Sequence, residues 1–176
     1  RGHSKFKGNI FNVDVSIDAD SCNDVDIYLA ALGPKMLDLA GEYTEGTITW
    51  MTGYKTIKNN ILPVLNSKSY NSKSILSSIP ICITDDVETV TNEAKSIFKF
   101  YNKYPNYKKM IIQEGVKDPS DLAIVGDEDY AYNALKEYSN SGVTEILAVV
   151  FGEDINERIN LKSRTLDFLL SINNKF

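Results

Sequence analysis

Hydrophobic residues in this chain fall into two kinds of segment that take turns: short unbroken apolar runs, and longer stretches with an apolar residue every third or fourth position. Ile27-Tyr28-Leu29-Ala30-Ala31-Leu32 is an unbroken run, Gly33-Pro34 interrupts it, and Met36, Leu37, Leu39 and Ala40 follow at helical spacing. That order reads strand, turn, helix. Past Gly41 and Gly46, Thr47-Ile48-Thr49-Trp50-Met51 is dense in β-forming residues, and Ile57, Ile61, Val64 and Leu65 make a second helical stripe in which Pro63 predicts a kink. Ile79 to Thr84 is the third run. Asp85 with Glu88 three residues on predicts a capped helix behind it, with the stripe Val87, Val90, Ala94, Ile97, Phe98 and Tyr101. A short helix is expected over Tyr107 to Gln113, between Pro105 and Gly115. Another carries Ala131, Ala134, Leu135 and Tyr138 and stops at Gly142. Glu145 to Phe151 is the fourth run, closed by Gly152, and a last helix takes in Ile159, Leu166, Leu169 and Leu170. Ahead of all this, Phe6 to Ile17 alternates loosely and predicts a hairpin, while the Asn/Ser/Lys-rich stretch Asn66 to Ser74 reads as a surface connection.

Unbroken apolar strands alternating with amphipathic helices define a parallel sheet covered by helices. Two architectures fit: an open doubly wound sheet, or an eightfold barrel, of which four βα units would be half. At 176 residues the chain is long enough for one domain with a sizeable core. Its 43% hydrophobic and 24% charged residues exclude a disordered or fibrous chain. A net charge of −5 has the wrong sign for a partner that is a nucleic-acid backbone. No apolar run approaches the ~20 residues of a membrane span. Two cysteines and the absence of any Asn-x-Ser/Thr sequon point to a cytoplasmic setting. The opening Arg1-Gly2-His3-Ser4 has neither an initiator Met nor a leader, which reads as a chain begun part-way through a longer one.

The chemistry-bearing residues are few. His3 is the only histidine and lies in the first four residues, so Ser-His-Asp and Cys-His catalysis have no base here. Cys22 and Cys82 are sixty residues apart and read as small hydrophobes. Asp18 and Asp20 start like a calcium loop, but Cys22, Asn23 and Leu29 then stand where a ligand, a Gly and a bidentate Glu are needed, and no metal site is expected. Asp85-Asp86, Asp127-Glu128-Asp129 and Glu153-Asp154 precede helices and read as caps. Lys95, Lys99, Lys103, Lys108 and Lys109, interleaved with Phe98, Phe100, Tyr101, Tyr104 and Tyr107, resemble a single-strand binder's groove but also fit a solvated helix face. Gly53-Tyr54-Lys55-Thr56 lacks the upstream glycine of a P-loop. The strongest feature is Gly33-Pro34. A glycine turn that follows a buried strand and opens a helix offers free backbone N–H groups to an anion.

Taken in order, Tyr28 to Met36, Leu39-Ala40-Gly41-Glu42 and Glu45 to Met51 resemble the fifth and sixth βα units of the luciferase-like monooxygenase superfamily, and more narrowly its coenzyme F420-dependent oxidoreductases. Pro80 to Asp86, Leu122 to Glu128 and Ser141 to Glu145 continue the likeness through the seventh and eighth. The resemblance implies an α/β fold that is the C-terminal half of a (β/α)8 TIM barrel. Residues 1–26 would be an extended insertion or hairpin and 27–176 the half barrel of four βα units. It also implies that Ala31, Leu32, Gly33, Pro34 and Lys35 hold the phosphate of the cofactor, F420 or alternatively FMN, for hydride transfer to a small-molecule substrate. The family keeps its acid and base residues in the first four units, so no catalytic residue is named. Homo-oligomerisation of the full-length protein is expected, with neither membrane nor nucleic acid as partner. The competing expectation is a non-enzymatic α/β module that binds an anion or a partner.

Overall fold

The computed structural model describes residues 2–17, 25–67, 72–152, 160–173 and 175. Asp18, Asp20, Cys22, Asp24, Glu153-Asp154 and Ile159 lie outside the described residues. The hairpin is present as β1 (Gly2–Lys7) paired antiparallel with β2 (Asn12–Ile17). Its register sets Phe6 opposite Val13 and Ser4 opposite Val15, so the apolar residues share one face.

The body consists of βα units. β3 (Tyr28–Ala30) leads into α1 (Pro34–Tyr43), and β4 (Gly46–Trp50) into α2 (Tyr54–Thr56), which runs through a π turn at Ile57–Ile61 into α3 (Leu62–Leu65). The wide turn lies just ahead of Pro63, whose missing N–H and ring cannot join a regular ladder. β5 (Ser74–Ile83) is followed by α4 (Val87–Phe98), a 3-10 turn (Lys99–Lys103), α5 (Pro105–Glu114), a second 3-10 turn (Pro119–Leu122) and a short strand β6 (Ile124–Gly126). α6 (Glu128–Asn140), β7 (Glu145–Val150) and α7 (Leu161–Ile172) complete the chain. No helix among the described residues is long and apolar enough to cross a membrane.

All sheet pairings in the body are parallel. Ser77 lies between Thr49 of β4 and Ile146 of β7, giving the order β3-β4-β5-β7. Ile81 lies between Val150 and Ile124, so β6 takes the edge of β5 opposite β7, above the point where β4 stops. Backbone bonds alternate along β5. The carbonyls of Ile75 and Ile81 accept from Thr144 and Phe151 on the β7 side, whereas Ser74 and Thr84 donate to Glu45 and Gly126 on the other. Pro80 is an even-numbered residue, so its missing N–H falls in the gap between the end of β4 and the start of β6. That gap is why a proline is tolerated in a central strand.

The pairings sort side chains onto two faces. Leu29, Ile75, Ile79, Ile81, Ile146 and Ala148 face the helices and build the main core with Leu37, Ile57, Ile61, Leu65, Leu135 and Phe168. Ala30, Ile48, Leu76, Trp50 and Leu147 occupy the other, open face. The Tyr28 hydroxyl on β3 donates to Glu145 Oε1 on β7 at 3.3 Å, from one outer strand to the other. In a flat sheet those strands would be ~14 Å apart, so the contact requires the sheet to curl around its open face. The sheet has five parallel strands rather than the expected four, the short β6 being added beside β5, and its curl is that of part of a barrel wall.

Three expectations need correction. The third strand starts at Ser74, five residues earlier than the apolar run, because Ser77 finds a buried partner in the Thr49 hydroxyl at 3.2 Å. The cap of α4 is Asp86, which accepts from Thr89 N–H, and Asp85 is instead paired with Arg164. In α4 the buried face is Val90, Ala94 and Phe98, with Val87 and Ile97 exposed, and in α7 it is Leu161, Thr165, Phe168 and Ile172, with Leu166 and Leu170 exposed. Thr165 is drawn inward because its hydroxyl accepts the Ile83 N–H, 2.9 Å away at the end of β5.

Gly46 opens β4 against Ser74 of β5: a Cβ there would stand 2.0 Å from the Ser74 carbonyl oxygen. Gly46→Ala should therefore force β4 from β5 and cost about 3 kcal/mol, read from urea unfolding.

Candidate functional site

In a βα barrel the loops at the C-terminal ends of the strands carry function, and three features meet there. The first is the turn after β3. Gly33 caps α1 with φ −92° and ψ 153°, a conformation open to any residue, and no side chain caps the helix. The first intrahelical bond runs from Leu37 N–H to the Gly33 carbonyl, which leaves the N–H groups of Lys35 and Met36 without a helical partner. A Cβ on Gly33 would meet nothing within 4 Å. The space over the turn is open. Behind it the buried Thr47 hydroxyl faces the carbonyls of Leu29 at 2.9 Å and Ala31 at 3.3 Å, fixing the chain where it leaves β3. Of the residues singled out in the sequence, Ala31 is buried at the root of the turn, Leu32 and Gly33 are half-buried, and Pro34 and Lys35 are exposed.

The second feature is the turn after β4. Met51 has φ 50°, a left-handed conformation that costs a long side chain about 1 kcal/mol or more. The neighbouring groups hold it there. Glu114, buried at the end of α5, accepts from Thr56 N–H (2.8 Å), Thr56 Oγ1 (2.8 Å) and Lys55 N–H (3.2 Å). The Tyr138 hydroxyl donates to the Thr52 carbonyl at 3.4 Å, and burial together with the nearby Glu114 charge pushes its pKa far above the usual phenol value. Gly53 has no side chain to collide with the Glu114 carboxyl, 2.1 Å from where a Cβ would sit. The segment Gly53-Tyr54-Lys55-Thr56 is thus no phosphate loop: its N–H groups are already filled by the protein's own carboxylate. The sequence carried one signal of this, since a glutamate in the last turn of a helix opposes the macrodipole and needs a tertiary partner.

The third is an aromatic cluster. Trp50, the last residue of β4, meets Phe98 and Tyr101 edge-on, each at 6.2 Å between ring centroids. Phe98 also meets Phe151, just beyond β7, at 5.6 Å, and Tyr101 meets Tyr107 at 4.7 Å. Burial and the adjacent Tyr101 raise the Tyr107 pKa. Most rings of the basic-aromatic stretch therefore turn inward, leaving Phe100 and Tyr104 exposed, with all five lysines in solvent.

Around the rim, Arg164 of α7 pairs in bidentate fashion with Glu128 (2.8 and 2.8 Å) and Asp85 (2.9 and 3.1 Å), joining three βα units. His3 is far from this chemistry in sequence and topology, bonding Ser16 and Asp14 within the hairpin, and Cys82 is buried.

No protein-family model and no curated protein matches this chain. Solved structures do. An F420-dependent secondary alcohol dehydrogenase, in complex with an F420–acetone adduct, superposes with a TM-score of 0.67 at 17% identity over 95% of this chain and 56% of its own. A coenzyme F420-dependent tetrahydromethanopterin reductase from Methanopyrus kandleri gives 0.63 at 16% identity, over 94% and 55%. Apo-MsnO8 gives 0.57 at 14% identity, over 89% and 53%. The chain has the fold of about half of each of these proteins, a partial TIM barrel.

Two outcomes follow from the geometry. Glu114→Ala strands two buried donors of Thr56 and the part-buried Lys55 N–H and should cost about 3 kcal/mol in chemical denaturation. Hydrogen bonds from Arg164 hold the Glu128 pKa down from 4.5 to about 2. The folded value is the lower one, so this contribution is complete above pH 4.5 and disappears as pH falls toward 2. The melting-temperature advantage of wild type over Glu128→Gln should shrink across that window.

Proposed function

We propose that the chain is the cofactor-phosphate half of a coenzyme F420-dependent oxidoreductase, with residues 27–176 forming four units of a (β/α)8 barrel and residues 1–26 an appended hairpin segment. The observation that carries this reading is the Gly33 turn. Nothing in its backbone requires glycine, yet the position is open and faces two free N–H groups at the start of a ten-residue helix. A glycine kept for space suits a ligand that approaches the backbone closely, and helix N–H groups suit a phosphate. Ala31, Leu32, Gly33, Pro34 and Lys35 would hold the cofactor there, with the Lys35 ammonium free to add charge.

When bound, the deazaflavin ring supplies the hydride chemistry on a small organic substrate. This chain's residues bind and orient: Thr47 fixes the phosphate turn, and Glu114 and Tyr138 fix the neighbouring one. Any acid or base for the transfer would come from further units of the barrel. Glu114 is fully engaged by three donors, and the Arg164 pairs are engaged with one another.

Further βα units covering the open face are part of the proposal. Exposed apolar residues gather where those units would sit: Leu147 and Val149 on the open face, Met36, Leu39 and Tyr43 on α1, and Leu166 and Leu170 on α7. A groove of about 580 Å³ also runs along the free edge of β7 between α6 and α7. These are the surfaces that neighbouring units of a closed barrel bury.

Titration of the full-length protein with F420 and, in parallel, FMN tests the reading through each cofactor's own absorbance. F420 should bind. Gly33→Val should weaken that binding at least tenfold, about 1.4 kcal/mol, while leaving the melting temperature unchanged. Absence of F420 binding, or equal binding by the variant, overturns it.

A further inference from the structure

We propose that the cavity between α1, the π turn with α3, and α5 is a binding site, separate from the Gly33 anion turn, for a small neutral molecule with an apolar body and one hydroxyl, which pairs with the Gln113 amide. The inference goes beyond the oxidoreductase reading and does not depend on it.

The cavity measures about 190 Å³. Leu32 and Leu37 wall it from the β3–α1 side, Ile61 and Val64 from the π turn and α3, and Met110 from α5. Leu37, Ile61 and Met110 are buried, so the walls are core side chains. It shares Leu32 and Pro34 with the turn after β3, but its lining includes neither Gly33 nor Lys35 nor Met36, the residues that leave that turn open to an anion. Gln113 of α5 lines the cavity too. Its Oε1 is the one buried side-chain nitrogen or oxygen among the described residues with no hydrogen-bond partner. Folded proteins pair nearly all such atoms, and an orphan carries the uncompensated cost of its lost hydration. The next residue, Glu114, is filled by three donors of the protein's own, whereas Gln113 is left for a group from outside. The Gln113 side chain as a whole is half-buried, and its amide turns about a terminal bond with a broad torsional preference, which brings either end to face an occupant of the cavity. A hydroxyl both donates and accepts, so it pairs with the amide whichever end is presented.

Size and charge narrow the class. A dry cavity of ~150 Å³ takes a benzene-sized molecule, and pockets for drug-sized ligands start at ~300 Å³, so about one ring fits here. Aliphatic walls solvate no charge. Thr56, which also lines the cavity, donates its hydroxyl to the Glu114 carboxylate at 2.8 Å, so a negative charge stands behind that wall and opposes an anion. Lys109 is the charged residue of the lining and opposes a cation. A neutral occupant meets neither penalty.

The test titrates the full-length protein calorimetrically with phenol and with toluene, which share a shape and differ in hydroxyl against methyl. Phenol should bind the wild type. The ratio of phenol to toluene affinity should fall about threefold to tenfold in Gln113→Met, which keeps the side-chain length and removes the amide. The urea midpoint of Gln113→Met should be unchanged or higher, because the variant loses no hydrogen bond and relieves the buried oxygen. Saturating F420 should leave the phenol affinity unchanged. No phenol binding, an unchanged ratio in the variant, a lower urea midpoint, or displacement of phenol by F420 each overturns the proposal. Phenol binding in a protein that does not bind F420 removes the oxidoreductase reading and leaves this site standing.

Discussion

The parallel pairing of β5 on both of its edges is the constraint from which the rest of this structure follows. Ten residues from Ser74 to Ile83 hold β4 and β7 along the lower part and β6 along the upper part. A parallel strand must bury both faces, and β5 does so nearly throughout. Because the side-chain period is two, one pairing register decides which residues meet the helices and which meet the open face. A slip by one residue would present Ile75, Ile79, Ile81 and Ile83 to the wrong side.

The strand bonds leave polar groups at the edges of this core, and side chains satisfy them. Thr47 faces two carbonyls of the β3 exit, Thr49 donates to Ser77, and Thr165 takes the Ile83 N–H that β7 is too short to reach. Each is a buried hydroxyl with a partner, as burial demands. The same economy appears in Glu114, which supplies from a distant helix the anion that the start of α2 needs. Of the helix starts that follow the strands of the body, those of α2, α4, α6 and α7 have a protein side chain accepting from their N–H groups, and that of α1 has none.

The insertion between β5 and α6 gives the rim its character. It carries Phe98 and Tyr101 to Trp50, with Tyr107 against Tyr101, and Glu114 to the β4 turn, so one segment both braces a strained backbone and packs rings against the end of β4. The 53% to 56% of the similar structures that this chain matches would leave the opposite wall to other units.

The sequence by itself determined the order and kind of the elements except the short β6, whose three residues carry too little periodicity to read. The four apolar runs are strands, the amphipathic stretches are helices, the N-terminal alternation is a hairpin, and Gly33-Pro34 is the turn between β3 and α1. These depend on local periodicity and on glycine and proline, which act over a few residues. Tertiary structure decided what depends on partners distant in the chain. Ser74 to Ser78 became strand because Thr49 and β7 bond to it, Asp85 left its capping role for Arg164, and α7 turned Thr165 rather than Leu166 inward to reach Ile83. The roles of Glu114 and Trp50 belong to the same class. Their partners lie 58 residues away at Thr56 and about fifty away at Phe98 and Tyr101, a separation that no local pattern encodes.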